Sequence, residues 1–178
     1  MKNAKVPLVG FAAWSGTGKT TLLKRLIPIL RTRGLKVGLV KHAHHTFDID
    51  HPGKDSYELR QAGASPVMIV SSKRRAIIYE CDPPQEPSLD DHLAYLDQSG
   101  LDLLLIEGFK RAPIPKIELH RKALSKPLLF PEDRYIVAVA SDEPIEDCPL
   151  PQLSLNHPEE VADFIVREIV DAQARRGP

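Results

Sequence analysis

The feature that most constrains this chain is the segment WSGTGKTT at positions 14–21, which lies between an apolar run and an amphipathic pattern. It matches G-x-x-x-x-G-K-[ST] except at the first position, where Ala13 stands in place of glycine. In such a loop, backbone N–H groups surround phosphate oxygens, the lysine reaches the β and γ phosphates, and the Ser/Thr hydroxyl binds Mg²⁺. The first position only begins the turn, so a small residue is compatible with it. The segment therefore predicts a P-loop that binds a nucleoside triphosphate.

The residues on either side of the motif supply the strand and the helix that a P-loop requires. Residues 6–13 form a nearly continuous apolar run of strand length. Pro28 interrupts the helical pattern that follows, so we expect a kink in that helix. The apolar residues at helical spacing are Leu22, Leu23, Leu26, Ile27 and Leu30. The predicted nucleotide-binding residues of the loop are Ser15, Gly16, Thr17, Gly18, Lys19, Thr20 and Thr21.

Length, composition and charge favour one domain without a nucleic-acid or membrane partner. The chain has 178 residues, 42% of them apolar, which suffices for one core and fits a single P-loop NTPase domain over 1–178. Lys plus Arg and Asp plus Glu number 24 each, so no overall field attracts nucleic acid or an anionic membrane. Cys81 and Cys148 lie far apart without a C-x-x-C motif, which suits a reducing cytoplasm. No window reaches the ~18 consecutive apolar residues of a membrane span.

Hydrophobic periodicity and turn residues predict an α/β fold. Gly34 is expected to end the first helix and residues 35–40 to form a second buried strand, which makes a βαβ unit. Two β-rich runs, 67–70 and 76–79, flank a charged turn and predict a hairpin. Further helices are expected over 55–62, 89–98 and 158–174, and further strands over 101–108, 117–120 and 135–140. Together these elements predict a P-loop NTPase with three layers, α/β/α, a mostly parallel sheet and an added β-hairpin region.

The sequence LDLLLIEG at 101–108 ends a buried strand with an acidic residue, as a Walker B segment does. In an open α/β sheet, ligands bind outside the carboxyl ends of the strands, so we expect Glu107 to lie near the P-loop. A carboxylate there can bind Mg²⁺ directly, bind it through water or orient the attacking water, and we favour the water-mediated role. Gly108 is expected to allow close backbone approach to the γ-phosphate.

A polar, His-rich loop follows the second strand. We interpret it as a switch or substrate loop in which Asp48 or Asp50 joins the Mg²⁺ shell. A solvated loop is one alternative. A dedicated zinc or nickel site is another, because imidazole and carboxylate groups bind those metals. The candidate ligands in the loop are His42, His44, His45, Asp48, Asp50 and His51.

Asp142 follows a predicted strand at the position where many GTPases place the aspartate that binds guanine. Only the aspartate of the usual Asn-Lys-x-Asp pattern is present, so Asp142 is a candidate base contact and an ordinary surface acid is the alternative. Trp14, beside the P-loop, is interpreted as a packing residue. The sequence contains no evident arginine finger, a group worth ~10³ to 10⁵ in rate, so slow intrinsic hydrolysis is expected.

Several segments together resemble the MobB family of molybdopterin-guanine dinucleotide biosynthesis proteins. They are FAAWSGTGKTT at 11–21, VKHAHH at 40–45, PGKDSYELR at 52–60, IEGFK at 106–110 and VAVASD at 137–142. The resemblance covers nearly the whole chain. Ala13 fits the family at the position where it departs from the general P-loop pattern.

The resemblance implies a homodimer that binds GTP with Mg²⁺, hydrolyses it weakly and acts mainly as a cytoplasmic adapter. The expected partners are molybdopterin or its carrier and MobA, the guanylyltransferase that joins GMP to molybdopterin in molybdenum cofactor biosynthesis. Asp142 becomes a stronger candidate for the guanine contact. The expected phosphate and metal contacts of the loop are Gly16, Gly18, Lys19, Thr20 and Thr21. The expected catalytic residues are Lys19 and Glu107, and the expected metal ligands are Thr20, Glu107 and Asp48.

Three other functions fit the same motifs. A small-molecule kinase would use the P-loop with Lys110 and Arg111, or Arg121 and Lys122, as phosphate clamps. A metal-insertion GTPase would use the His-rich loop. A nucleotide-gated binding module would hold a partner protein, with hydrolysis incidental to that binding.

Overall fold

The computed structural model describes residues 1–43 and 47–176. The strands are β1 (Leu8–Ala13), β2 (Val37–Lys41), β3 (Val67–Val70), β4 (Arg75–Ile78), β5 (Leu103–Glu107), β6 (Lys116–His120), β7 (Ile136–Ser141) and β8 (Gln152–Ser154). The α-helices are α1 (Lys19–Thr32), α2 (Asp55–Gln61), α3 (Leu89–Leu93), α4 (Pro158–Phe164) and α5 (Asp171–Arg176). The chain forms two compact units, one made of Met1–His42 and Ser88–Pro178 and the other of Ala43–Pro87.

The larger unit is built on a parallel sheet with the strand order β2-β5-β1-β6-β7-β8. Its central strands β1, β5 and β6 are almost entirely buried. Strands covered on both faces show continuous apolar runs rather than alternation, which explains why β1 and β5 were recognisable in the sequence. Strand β6 instead buries the polar residues Lys116 and Glu118 beside its apolar ones. The sequence did not predict β8, because its three residues are too few to show a period and its first residue, Gln152, is exposed. The expected α/β fold with a mostly parallel sheet is confirmed.

Helices cover both faces of this sheet. On one face, α1 packs a stripe of leucines against the strands and against the C-terminal helical segment; they are Leu22, Leu23, Leu26 and Leu30. On the opposite face, α3 buries Leu89 and Leu93 in a second cluster with Leu104, Ile106 and Ile114. Burial of one such side chain contributes about 1.5–3 kcal/mol to the free energy of unfolding. The three-layer α/β/α arrangement expected from the sequence is confirmed.

Helix α1 begins directly after the phosphate loop and ends where the sequence predicted. Gly34, with a φ of 86°, follows the last turn, and its N–H donates to the Arg31 carbonyl at 3.0 Å. The next N–H, that of Leu35, donates to the Leu30 carbonyl at 3.2 Å. This bonding pattern is a Schellman motif, and it satisfies carbonyl groups that the helix end would leave without a donor. Pro28 lies inside α1 and does not end it.

Two helical predictions differ from the structure. Helix α3 ends at Leu93, whereas the sequence predicted a helix over 89–98. The reason lies in the buried side chain of Gln98, which donates to the carbonyls of Asn3 and Leu93 and accepts from the Lys5 N–H. A polar side chain that binds the backbone in this way favours irregular chain over helix. The C-terminal helix contains a π-helical segment, Ile165–Val170, between α4 and α5.

The smaller unit contains α2 and the antiparallel hairpin β3–β4, which confirms the predicted hairpin. In its turn, the Ser71 hydroxyl oxygen accepts the N–H groups of Lys73 and Arg74, so the charged turn is closed by its own serine. The Arg60 guanidinium joins two carboxylates of this unit, Asp48 and Glu80, at 2.6 Å each. These contacts tie α2 to the chain on both sides of it.

In the larger unit, the carboxylate of Glu118 on β6 is fully buried and holds the loop that precedes β7. Its two oxygens accept the backbone N–H groups of Leu129 at 2.7 Å and Phe130 at 2.8 Å. Replacing Glu118 by alanine removes both acceptors, so we expect a loss of about 1–3 kcal/mol in the free energy of unfolding. Urea unfolding measures this, with the exposed Glu132→Ala as a control that should change little. A similar loss in both variants would contradict the assigned role.

Burial also raises the pKa of the Glu118 carboxyl above its ordinary value, and the two backbone N–H bonds oppose that shift. A raised native pKa means that the folded protein binds this proton at higher pH than the unfolded chain does. The resulting stabilisation is complete below the unfolded pKa and is lost as the pH rises through the folded pKa. As the pH falls from neutral towards the ordinary pKa of a carboxyl group, the stability of the wild type relative to Glu118→Gln should therefore increase, which urea unfolding at a series of pH values measures.

Candidate nucleotide-binding site

The phosphate loop joins the carboxyl end of β1 to the first turn of α1, and its fold depends on two glycines and one buried threonine. Gly16 and Gly18 have φ angles of 83° and 98°, which residues other than glycine rarely adopt. Thr17 is buried, and both its N–H and its hydroxyl donate to the Trp14 carbonyl, at 3.3 and 2.8 Å. The loop is thus closed on itself from within. Ser15, Gly16, Thr20 and Thr21 are solvent-exposed, as access for a ligand requires.

Trp14 attaches this loop to a neighbouring segment. Its indole Nε1 donates to the Pro127 carbonyl at 2.8 Å, and the Lys126 ammonium lies 5.9 Å from the ring centroid. The Glu118 carboxylate holds the same segment two residues further on. The interpretation of Trp14 as a packing residue agrees with these contacts, although 37% of the residue is exposed.

Glu107 lies beside the phosphate loop, as expected from the position of its strand. Strands β1 and β5 are adjacent and parallel, with Phe11 opposite Glu107. The Lys19 Nζ atom is 4.0 Å from Glu107 Oε1. Strand β2 lies on the other side of β5, and its last residue, Lys41, places Nζ 3.4 Å from Glu107 Oε2. The acid therefore sits between two ammonium groups, and the second was not assigned to the site from the sequence.

Gly108 is required by the close approach of the chain after β2. Its φ is 88°, and a Cβ atom placed on it would lie 2.6 Å from the His42 Cβ and 3.3 Å from the His42 carbonyl oxygen. The His42 N–H in turn donates to the Glu107 carbonyl at 2.8 Å, and the His42 ring packs on Phe109 with centroids 5.0 Å apart. The contact shows a packing requirement that the sequence did not predict. The expected approach of Gly108 to the γ-phosphate stays a prediction.

Asp142 follows β7 and contacts two consecutive residues that follow β6. Its Oδ1 accepts the Lys122 N–H at 3.2 Å, and its Oδ2 lies 3.4 Å from Arg121 Nη1. The Arg121 Nε also donates to the Thr17 carbonyl of the phosphate loop at 2.9 Å. From the sequence, Arg121 was expected at the site only in the alternative in which the protein is a kinase, as a phosphate clamp. A basic residue directly after a buried strand was the available signal, but the strand order that places it beside the P-loop is not visible in the sequence.

The donor set of this site fits Mg²⁺ bound together with a nucleotide. The exposed Thr20 hydroxyl and the Glu107 carboxylate offer hard oxygen ligands, which Mg²⁺ prefers. Within residues 1–43 and 47–176, no group of three or more His, Cys, Asp or Glu side chains is placed to hold a metal ion. Mg²⁺ commonly takes one or two protein ligands and completes its shell with phosphate oxygens and water. These residues suit that mode and not a cage made of protein ligands alone.

The third expected metal ligand, Asp48, lies in the smaller unit and is engaged there. Its carboxylate accepts the Asp50 N–H at 3.0 Å and binds the Arg60 guanidinium at 2.6 Å. These two hydrogen bonds lower the pKa of Asp48 below its ordinary value, in that order of importance. A metal role for Asp48 stays a prediction. His44 and His45, which the zinc or nickel alternative requires, lie outside the described residues.

A parallel sheet with a phosphate loop after one strand and a carboxylate at the end of the adjacent strand defines the P-loop NTPase class of proteins. The family model for molybdopterin guanine dinucleotide synthesis protein B matches residues 8–142. The chain belongs to this family, MobB. Among the described residues, no helix has the length and apolar character needed to cross a bilayer.

Comparison with known proteins identifies relatives over nearly the full length. The chain is 49% identical over 162 residues to the molybdopterin-guanine dinucleotide biosynthesis adapter protein of Escherichia coli K12, covering 90% of this chain and 92% of the relative. It is 46% identical over 165 residues to the protein of the same name from Haemophilus influenzae, with coverages of 92% and 89%. A crystal structure of a molybdopterin-guanine biosynthesis protein B aligns with a TM-score of 0.68 at 30% identity, covering 89% of this chain and 97% of that one.

Proposed function

We propose that this protein is a GTP-binding adapter of molybdopterin-guanine dinucleotide biosynthesis that binds GTP with Mg²⁺ and hydrolyses it slowly. One observation carries the nucleotide part of the proposal: Lys19 Nζ lies 4.0 Å from Glu107 at the carboxyl ends of two adjacent strands. The pathway part rests on the family and on relatives that are named adapter proteins of this biosynthesis.

The charges around Glu107 indicate how the site would receive a triphosphate. Lys19 and Lys41 place two positive charges around one carboxylate, which leaves a net positive site for an anion. Lys19, at the N-terminus of α1, is the ammonium that would turn to the β and γ phosphates. Lys41 would continue to balance Glu107 after that movement. Glu107 is therefore expected to keep its orientation when the nucleotide is bound.

Thr20 and Glu107 would hold Mg²⁺, Glu107 through water, and the ion would neutralise charge on the β and γ phosphates when bound. We expect slow hydrolysis because the arginine beside the phosphate loop, Arg121, does not take the position of a catalytic arginine. Arg121 binds the Thr17 carbonyl oxygen, whereas a catalytic arginine has to face the phosphates. We therefore expect unassisted turnover of GTP below about 1 s⁻¹.

The adapter role requires protein partners, and we propose two. The first is MobA, the guanylyltransferase that would use molybdopterin and a guanine nucleotide. The second is another copy of this chain. Strand β2 forms one edge of the sheet, and Leu39 on it is 45% exposed, so backbone groups and an apolar side chain are available for association. Light scattering of the purified protein tests the homodimer through its mass in solution.

Calorimetric titration with GTP and ATP, with and without Mg²⁺, tests the nucleotide part of the proposal. We expect GTP to bind at least about tenfold more tightly than ATP, because Asp142 can accept the N1–H and the 2-amino N–H of guanine, and adenine has no donor at either position. Binding to immobilised MobA, measured in the presence and absence of GTP, tests the adapter part. The proposal fails if neither nucleotide binds. Preference for ATP together with phosphate transfer to a metabolite would instead identify a kinase.

A further inference from the structure

Arg121 contacts two parts of the candidate site that lie on different strands. It is the first residue after β6, which pairs with β1 on one side and with β7 on the other. Its Nε donates to the Thr17 carbonyl in the phosphate loop at 2.9 Å, and its Nη1 lies 3.4 Å from Asp142 Oδ2. About one third of its side chain is exposed. The guanidinium thus spans from the phosphate loop to the candidate guanine contact.

The bond to Thr17 has a consequence on the other face of the loop. A trans peptide unit is planar and rigid, and its carbonyl and N–H groups point in opposite directions. Fixing the Thr17 carbonyl therefore also fixes the N–H of Gly18, which belongs to the backbone that surrounds phosphate in a P-loop. Gly18 has a φ of 98° and no Cβ, and its own carbonyl accepts the Leu22 N–H at 2.9 Å, so the bond from Arg121 adds to the contacts that hold this peptide plane. Arg121 Nη2 lies 3.6 Å from the position that a Gly18 Cβ would occupy.

The bond from Arg121 to Asp142 orients the carboxylate without occupying all of its hydrogen-bond acceptor positions. A carboxylate offers about four acceptor positions. Arg121 uses one on Oδ2 and the Lys122 N–H uses one on Oδ1, so positions remain for N–H donors of a base. A side chain that is already held in place loses less conformational entropy when a ligand binds. Arg121 therefore prepares Asp142 for binding and does not block it.

We propose that Arg121 is a positioning residue that couples phosphate binding to guanine recognition. One edge of its guanidinium sets the Gly18 N–H through the Thr17 carbonyl, and the other sets the Asp142 carboxylate. The inference rests on the proposed GTP binding and specifies the ligand class, guanine nucleotides that carry at least a β-phosphate. Arg121 lies on the carbonyl side of the loop, so its loss should weaken nucleotide binding.

The test compares dissociation constants for GTP, GDP and ITP, which lacks the 2-amino group of guanine, in the wild type and in Arg121→Ala. We expect the GTP constant to rise about tenfold or more, as for loss of charge-assisted hydrogen bonds, and the preference for GTP over ITP to fall towards that of Asp142→Ala. In the double variant, the two effects should be less than multiplicative, because either change disrupts the same contact. Lys122→Ala is the matched control, since its backbone N–H to Asp142 remains.

Each alternative outcome has a distinct meaning. One contrary outcome is that Arg121→Ala weakens the binding of GTP, GDP and ITP equally and that its effect multiplies with that of Asp142→Ala. This outcome would overturn the coupling and leave Arg121 as a support of the phosphate loop alone. An unchanged dissociation constant with a lower turnover of bound GTP would also overturn it. If Arg121→Ala does not fold, Arg121→Lys replaces it in the same titrations. This variant keeps the positive charge but can reach at most one of the two acceptors, the Thr17 carbonyl or the Asp142 carboxylate. Failure of the wild type to bind GTP would refute the proposed function itself, which the same titrations show first.

Discussion

Replacing Lys19 by alanine should raise the dissociation constant for GTP by about 100-fold or more. The Lys19 ammonium lies at the N-terminus of α1, 4.0 Å from Glu107, where a triphosphate would bind. Its hydrogen bonds to phosphate would be charge-assisted, and each such bond contributes about 1.5–3 kcal/mol. Two of them correspond to at least about two powers of ten in affinity. Calorimetric titration of the purified variant with Mg²⁺ and GTP measures the loss.

The control for this variant is Lys24→Ala, which removes an exposed lysine further along the same helix. It changes the net charge equally but should leave the affinity for GTP within about twofold of the wild type. Neither variant should unfold the protein, because Lys41 remains beside Glu107 and both lysines lie at the surface of α1. Equal losses of affinity in the two variants would mean that long-range charge, and not the P-loop contact, drives binding.

Gly108→Ala should lower the free energy of unfolding by about 2–5 kcal/mol. The first cause is the φ of 88°, where a residue other than glycine is strained by about 1–2 kcal/mol. The second is overlap: the new Cβ would lie 2.6 Å from the His42 Cβ and 3.3 Å from the His42 carbonyl oxygen. Neither atom is the end of a flexible side chain, so the chain after β2 has to move, and overpacking of this kind costs about 1–3 kcal/mol. Urea or thermal unfolding measures the sum.

Gly34→Ala separates these two causes. Gly34 has a φ of 86°, close to that of Gly108, but nothing lies within 4 Å of the position its Cβ would take. Its replacement should therefore cost only the strain, about 1–2 kcal/mol. The difference between the variants isolates the contact with His42. Equal losses would show that the close approach of the two segments is absent in solution.

The first βαβ unit was predictable because its signals lie within contiguous segments, but the expectation that its second strand is buried was wrong, since β2 is a partly exposed edge strand. The apolar run over 6–13 contains β1, the leucine spacing identified α1, and Gly34 marked the end of that helix. The hairpin β3–β4 was predictable for the same reason, since its two strands are neighbours in sequence. Helix α3 was predicted too long, because the buried Gln98 binds backbone groups of the distant N-terminal segment. That contact has no signature in the sequence around Gln98.

The candidate site was predictable to the extent that it follows general properties of parallel sheets. Ligands bind at the carboxyl ends of the strands, so Glu107 was expected near Lys19 although the two are far apart in sequence. The order of the strands is a different matter. It depends on which buried faces pack together, and it places β5 between β2 and β1, which brings Lys41 to the same carboxylate. Local periodicity carries no information about that order.

The motif at positions 14–21, with the strand before it and the helix after it, was therefore sufficient to identify a phosphate loop, and the acidic end of β5 supplied its partner. These features depend on backbone conformation and burial over a few neighbouring residues. The contacts of Arg121 with Thr17 and Asp142 depend instead on β6 lying between β1 and β7. Such contacts exist only after three separate segments have packed side by side, because no segment indicates by itself which residues of the others will lie next to it.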